Sequence, residues 1–146
     1  MRPVVVHADG ASRGNPGDAA GGAVVIADDG QVVAELGVLC GVASNNVAEY
    51  RGMIEALRLL RRWETDQPVD VRMDSKLVVE QMSGRWKVKH PDMRDLVREA
   101  HEVIGPMSVT FQWVPRADNA LADAAANRAL DERRDYLVVR GQETEL

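Results

Sequence analysis

The sequence predicts an α/β fold in which one mixed β-sheet is covered by helices. Three strand-like segments come first, joined by turn signals. The hydrophobic period then changes to that of a helix near residue 46. Two further short strands alternate with helices after it, the pattern of a sheet extended by crossover connections. The chain's 146 residues suffice for one domain, and 45% apolar against 28% charged residues gives a core without disulfides.

Residues 3–9 are Val-rich and short, which predicts a buried strand. A Gly- and Pro-containing loop over residues 10–17 follows. Residues 22–27 and 31–39 are strand-like and flank Asp28-Asp29-Gly30, whose Asp-Gly pair is a hairpin signal because it tolerates positive φ. The first three strands therefore form an antiparallel meander. Val47, Tyr50, Ile54 and Leu57, widened by Met53 and Leu60, make the apolar stripe of a helix over residues 46–63. Pro68 introduces a strand over residues 69–74 with Val69, Val71 and Met73 on one face. A short helix over residues 75–82 stops at Ser83-Gly84, and Pro91 opens another that ends at Gly105-Pro106. Val109, Phe111 and Trp113 alternate in a last strand over residues 108–114. Asp118 caps an Ala-rich helix reaching about residue 132. Residues 1–132 form the domain, and residues 133–146 read as a polar tail or the start of a linker.

Four acids stand out by position. Asp9 ends the first strand, Glu49 lies in the first turn of the long helix, Asp74 ends the fourth strand, and Asp123 sits early in the last helix. Each also has a local explanation: a turn at Asp9-Gly10, a capping box from Asn46 to Glu49, an N-cap at Asp74 or Ser75, a favourable helix-end charge at Asp123. Taken together they point elsewhere. If strands one and four are parallel neighbours, Asp9 and Asp74 emerge side by side at the carboxyl ends, where open α/β sheets place ligands. Glu49 lies about 90° from the centre of its helix's apolar stripe, at the border of core and solvent. Carboxylates crowded without a cation repel one another and take up protons. Oxygen ligands suit Mg²⁺ or Mn²⁺, and no Cys/His cluster is present to hold zinc.

The motifs around these acids resemble those of type I ribonucleases H. Asp9-Gly10-Ala11-Ser12-Arg13-Gly14-Asn15-Pro16-Gly17 is similar to the family's opening signature. Asn45-Asn46-Val47-Ala48-Glu49 resembles its second motif, Asp74-Ser75-Lys76 its third, and Asn119-Ala120-Leu121-Ala122-Asp123 its last. The four occur in family order across nearly the whole chain. The resemblance implies a ribonuclease H-like fold: a five-stranded mixed sheet, three antiparallel then two parallel strands, flanked by helices. It implies endonucleolytic hydrolysis of the RNA strand of RNA–DNA hybrids, leaving 5′-phosphate and 3′-hydroxyl ends. Asp9, Glu49, Asp74 and Asp123 would be the catalytic acids and hold two Mg²⁺ or Mn²⁺ ions. Ser12, Asn15 and Asn45 match positions that read the RNA 2′-hydroxyl groove, while Ser44, Asn46 and Lys76 match hybrid contacts, Ser44 at a DNA phosphate.

Two departures from the family pattern stand out. Many members carry a His between the last strand and helix, but residues 114–119 hold none. Arg116 supplies charge there and cannot carry a proton. His7, His90 and His101 fall elsewhere and read as structural or solvent-facing. Some members also have a basic protrusion, which residues 84–91 are too short to form, as in bacterial forms that lack it. Arg85-Trp86-Lys87 there is either a solvated helix edge or a surface that grips a nucleic-acid backbone.

The net charge of −5 argues at first sight against a polyanion. Four acids given over to metal ions weaken that objection. Two other functions share the pattern: a hybrid-binding module that does not cut, and a same-fold nuclease acting on DNA. The four intact acids and the paired Asn favour hybrid cleavage. The single Cys40 and the absence of a long apolar run fit a cytoplasmic protein, and Met1-Arg2-Pro3 leads into structure without a leader. Some relatives continue into a second domain, which the polar tail would suit.

Overall fold

The computed structural model describes Arg2–Leu146; Met1, from which the leader-free reading starts, lies outside the described residues. The sheet has seven strands in the order β5-β4-β1-β2-β3-β6-β7. They are β1 (Val4–Arg13), β2 (Gly17–Ile26), β3 (Val32–Ala43), β4 (Val69–Met73), β5 (Val109–Trp113), β6 (Tyr136–Val139) and β7 (Gln142–Thr144). The expected meander forms β1–β3, and β4 and β5 extend it in parallel from β1. Four helices are α1 (Asn45–Arg62), α2 (Lys76–Met82), α3 (Pro91–Ile104) and α4 (Ala120–Glu132).

Successive side chains of a strand point to opposite faces, and β2 uses this with glycines. A Cβ on Gly21 would lie 2.3 Å from the backbone nitrogen of Gly52 in α1. One on Gly22 would lie 2.3 Å from that of Ala126 in α4. The two helices therefore cover opposite faces of the sheet at backbone-contact distance. On the α1 side, Met53, Ile54, Leu57 and Leu60 pack fully buried against Val6, Val71 and Met73.

Expectations of three kinds are corrected: the length of a strand, the caps of two helices and the nature of the C-terminal segment. Residues 10–17 are mostly strand: β1 runs on to Arg13 and pairs through Arg13↔Asp18, leaving a turn of Gly14-Asn15-Pro16. Small residues without apolar alternation hid this extension, because that segment lies against helix backbone rather than core side chains. Asp118 does not cap α4. It is exposed in a 3₁₀ turn over Arg116–Asn119, and Asn119 takes the N-cap position without a capping side-chain bond. The N-cap of α1 is likewise Ser44, whose Oγ accepts from Val47 N at 3.3 Å, two residues before the expected box at Asn46.

The third correction concerns residues 133–146, which are structure rather than a loose tail. β6 pairs antiparallel with β3, from Ala34↔Val139 to Gly37↔Tyr136. Arg140 and Gly141, at φ 50° and 80°, form the two-residue turn into β7 that such hairpins require. Tyr136 and Leu137 are buried, and Arg128 of α4 bonds to Glu35, Glu132 and Glu143 while stacking 4.2 Å above the Tyr136 ring. β6 thus supplies the pairing that the outer edge of β3 would otherwise lack. Replacing the fully packed Leu137 with Ala should therefore cost about 2–4 kcal/mol in urea unfolding. A loss below ~0.5 kcal/mol would mean that the segment is not part of the fold.

Candidate active site

The parallel register of β1 and β4 runs from Val4↔Val69 to His7↔Arg72. Carried two residues further, the same offset sets Asp9 beside Asp74. Asp9 is not at a strand end: it sits within β1, at the level where β4 stops, and is 6% exposed. Glu49 arrives from α1. A Cβ on Gly10 would come 2.3 Å from Glu49 N, and one on Gly52 would come 2.6 Å from the Asp9 carbonyl. Only glycine lets the helix rest this closely on the strand, and the contact brings Glu49 over Asp9.

The result is a group in which Asp9, Glu49 and Asp74 each offer an oxygen within 4.8 Å of the others. Asp123 stands apart in the first turn of α4, half-buried, with its carboxylate 3.4 Å from Asn127 Nδ2. Its charge still acts on Asp9. Burial and then the Asp74 charge push the Asp9 carboxyl well above the usual carboxylate range; the Gly10 backbone N–H opposes this, and Glu49 and Asp123 add to it. Burial pushes Glu49 up to about 7, with the Ser75 hydroxyl opposing and the Asp74 charge reinforcing. Three hard oxygen donors that repel one another this strongly are a fitting donor set for a hard divalent cation, whose charge would remove the repulsion.

Two residues around the acids carry no role in the sequence reading. Asn119 is 1% exposed and donates from Nδ2 to the Ala8 carbonyl at 2.9 Å and to Asp74 Oδ1 at 3.2 Å. Its presence in the fourth motif is the signal that could have marked it. Trp113, half-exposed at the end of β5, donates from Nε1 to the Asp74 carbonyl at 3.2 Å. Its apolar alternation in the sequence gave no hint of that contact.

The other site residues divide into two groups. Ser12 Oγ donates to the Ala43 carbonyl at 2.7 Å, and Asn15 Oδ1 accepts from Asn45 N at 3.1 Å. These bonds tie the β1–β2 turn to the start of α1, so Ser12, Asn15, Ser44 and Asn45 form one rim. Asn46, Lys76 and Arg116 are exposed, Arg116 in the turn that follows β5. Across from this rim, no helix forms between α2 and α3. Trp86 is 45% exposed, and Lys87 and Lys89 face solvent. The two lysines border a groove of about 940 Å³ that Ser44, Asn46 and Leu77 also line. Arg85 is not free for a ligand, since both of its forked bonds, at 2.6 and 2.9 Å, go to Glu80. None of the histidines joins the acids: His7 bonds to Asn119, His90 caps α3 and His101 is exposed.

Comparison with known proteins agrees with this geometry. Residues 7–129 match the family model described as reverse transcriptase-like. The chain is 52% identical over 130 residues to the bifunctional protein Rv2228c of Mycobacterium tuberculosis, covering 88% of this chain and 35% of that protein. It thus spans only about a third of the length of that relative. The crystal structure of RNase H1 from Halobacterium salinarum superposes with a TM-score of 0.84 at 44% identity, covering 89% of this chain and 98% of that one. LC11-RNase H1, solved in complex with an RNA/DNA hybrid, gives a TM-score of 0.84 at 36% identity over 89% of this chain and 98% of that one. On these matches, this chain belongs to the type 1 ribonuclease H family.

Proposed function

We propose that the chain is a metal-dependent endonuclease that hydrolyses the RNA strand of RNA–DNA hybrids. The observation that carries this is the convergence of Asp9, Glu49 and Asp74 within 4.8 Å, beside a rim that resembles a 2′-hydroxyl reader. The hybrid held by LC11-RNase H1, in the same fold, supports the substrate class.

Asp9, Glu49 and Asp74 would hold the cation, with Asp123 of α4 as a further carboxylate beside them. Mg²⁺ or Mn²⁺, two ions with substrate present, supplies Lewis acidity at the phosphoryl oxygens and a nucleophilic water at neutral pH. The chain's own residues do the positioning. Ser12, Asn15 and Asn45 read the RNA groove, and Ser44 meets a phosphate of the DNA strand. Asn46, Lys76, Trp86 and Lys87 hold the duplex across the groove, and Arg116 adds positive charge beside the reacting phosphate. Arg85 contributes by fixing this segment to Glu80 rather than by direct contact. The water oxygen bonds to phosphorus as the 3′ oxygen leaves and takes a proton. The phosphate therefore stays on the 5′ end of the downstream fragment. The length of the mycobacterial relative suggests that the domain works beside a further C-terminal domain. The lone Cys40 suits a reducing, cytoplasmic setting.

A labelled RNA–DNA hybrid should be cut with Mg²⁺ or Mn²⁺, while matched DNA–DNA and RNA–RNA duplexes stay intact. A folded protein that leaves the hybrid whole would sink this reading. Asp74→Asn should lower cleavage on the order of 10³-fold or more, the scale of removing a charge that stabilises a transition state. Hybrid binding in the same variant should be largely retained, and wild-type turnover would remove Asp74 from the site.

The raised carboxyls also set the pH dependence of stability. In the metal-free protein Glu49 keeps its proton up to about 7, and Asp9 is raised in the same direction; both lose these protons earlier once unfolded. The native state thus binds more protons, and its stability falls as pH rises from about 4.5 through about 7. Divalent metal should accordingly raise the melting temperature by several degrees more at pH 8 than at pH 5.5. Equal shifts at both pH values would contradict the assignment.

A further inference from the structure

The geometry points to Asn119 as the positioning residue of the metal site, with His7 holding its amide in the working orientation; this rests on the metal-site reading above. Asn119 is almost fully buried, and its amide bonds both to the strand that carries Asp9 and to Asp74 itself. Nδ2 bonds to the Ala8 carbonyl, on the peptide leading into Asp9, and to Asp74 Oδ1. Asn119 is also the residue on which α4 begins, one turn before Asp123.

The amide can satisfy this surrounding in only one orientation. Both partners of Nδ2 are acceptors, a peptide carbonyl and a carboxylate, so the NH₂ end must face them. That leaves Oδ1 toward His7, whose Nδ1 lies 3.2 Å away and must be the protonated ring nitrogen to donate. If the amide turned over, an oxygen would face the Asp74 carboxylate and the Ala8 carbonyl, and both of those bonds would be lost. His7 therefore does more than fill space in β1. Its N–H selects the rotamer in which Asn119 presents a donor to Asp74.

The consequence concerns the aim of Asp74. It lies just beyond β4, where no ladder bond fixes the side chain, and it shares its site with two other carboxylates. Left to electrostatics alone, it would turn away from Asp9. The Asn119 donor engages one of its oxygens and leaves the other for a cation, the arrangement by which outer contacts orient metal ligands.

The test measures Mn²⁺ binding by titration calorimetry on the full chain without substrate, beside urea unfolding and hybrid cleavage. Asn119→Asp keeps the shape and removes the donor. It should weaken Mn²⁺ binding about 10–100-fold. The KM for hybrid at saturating Mn²⁺ should stay within about twofold of wild type. Wild-type Mn²⁺ affinity in folded Asn119→Asp overturns the inference, because a merely structural role would lower stability alone. His7 gives a second route should Asn119→Asp fail to fold. His7→Leu removes the donor and should weaken Mn²⁺ binding. His7→Asn places an N–H the same number of bonds from the backbone and should restore it. Equal affinity in both His7 variants overturns the inference as well. A wild-type chain that binds Mn²⁺ through Asp74 without cutting hybrid, yet shows the Asn119 effect, would overturn the proposed activity and leave the positioning role standing. A wild-type chain that binds no Mn²⁺ overturns both.

Discussion

The site depends on one backbone contact: α1 lying directly on β1 and β2. Gly10, Gly21 and Gly52 sit in that contact, and a Cβ on any of them would meet opposing backbone at 2.3–2.6 Å. A helix kept at the usual distance by side chains would stand several ångströms further off. Glu49 lies one turn before Gly52, so its height above the sheet follows from the depth at which the helix is seated. The apolar stripe of α1 supplies the force for this seating, and the glycines decide how deep it goes. Fold stability and site geometry thus share the same residues here.

The contact creates an electrostatic problem that the rest of the structure manages. Burial and mutual repulsion raise Asp9 and Glu49, so the metal-free site is at odds with itself near neutral pH. Nothing basic among the described residues is ion-paired to these carboxylates. Arginines that could have neutralised them are engaged elsewhere: Arg72 with Asp70, Arg51 and Arg58 with Glu99, Arg128 with the acids around β6. Neutral donors surround the site instead, namely the Gly10 backbone N–H, the Ser75 hydroxyl and the Asn119 amide. Neutral donors orient a carboxylate without occupying it as a counter-ion, which leaves the charge available to a cation.

Much of this was legible in the sequence because the informative residues have narrow physical uses. The Asp-Gly turn, the stripe of α1, and Gly84 and Gly105 at helix ends follow from local pattern, and Asp9, Glu49 and Asp74 do lie together, although Asp9 sits inside its strand rather than at its end. What escaped depends on partners far along the chain. Tyr136-Leu137-Val138-Val139 is a clear apolar run, but it gains meaning only from the unpaired edge of β3, about a hundred residues earlier. The strand over residues 10–13 was hidden because small residues contacting helix backbone leave no apolar period. Asn119 could be seen only as a motif letter, since its two acceptors come from β1 and from the end of β4. The sequence leaves Arg85 open between a solvated edge and a backbone grip, because it does not show that Glu80, five residues earlier, bonds to its guanidinium.

The distribution of charge then explains how an acidic chain can meet a polyanion. Net charge governs long-range attraction, whereas a duplex a few ångströms from the surface responds to the groups beneath it. The acids proposed to meet the substrate are concentrated at Asp9, Glu49, Asp74 and Asp123, and a bound divalent cation would offset much of their charge there. Many of the others lie in ion pairs with arginine, as at Glu80, Glu99 and Glu132, and contribute little beyond their own surroundings. Lys87 and Lys89 are the cations left facing the groove from the side opposite the rim. Two lysines with one half-exposed Trp make a modest grip compared with a dedicated basic protrusion. On the proposed function the uncharged rim of Ser12, Asn15, Ser44 and Asn45 therefore shares the grip with these cations, while a cation at the acids serves the chemistry. Binding and cutting then rest on different residues, so that one acid can be lost without loss of the duplex.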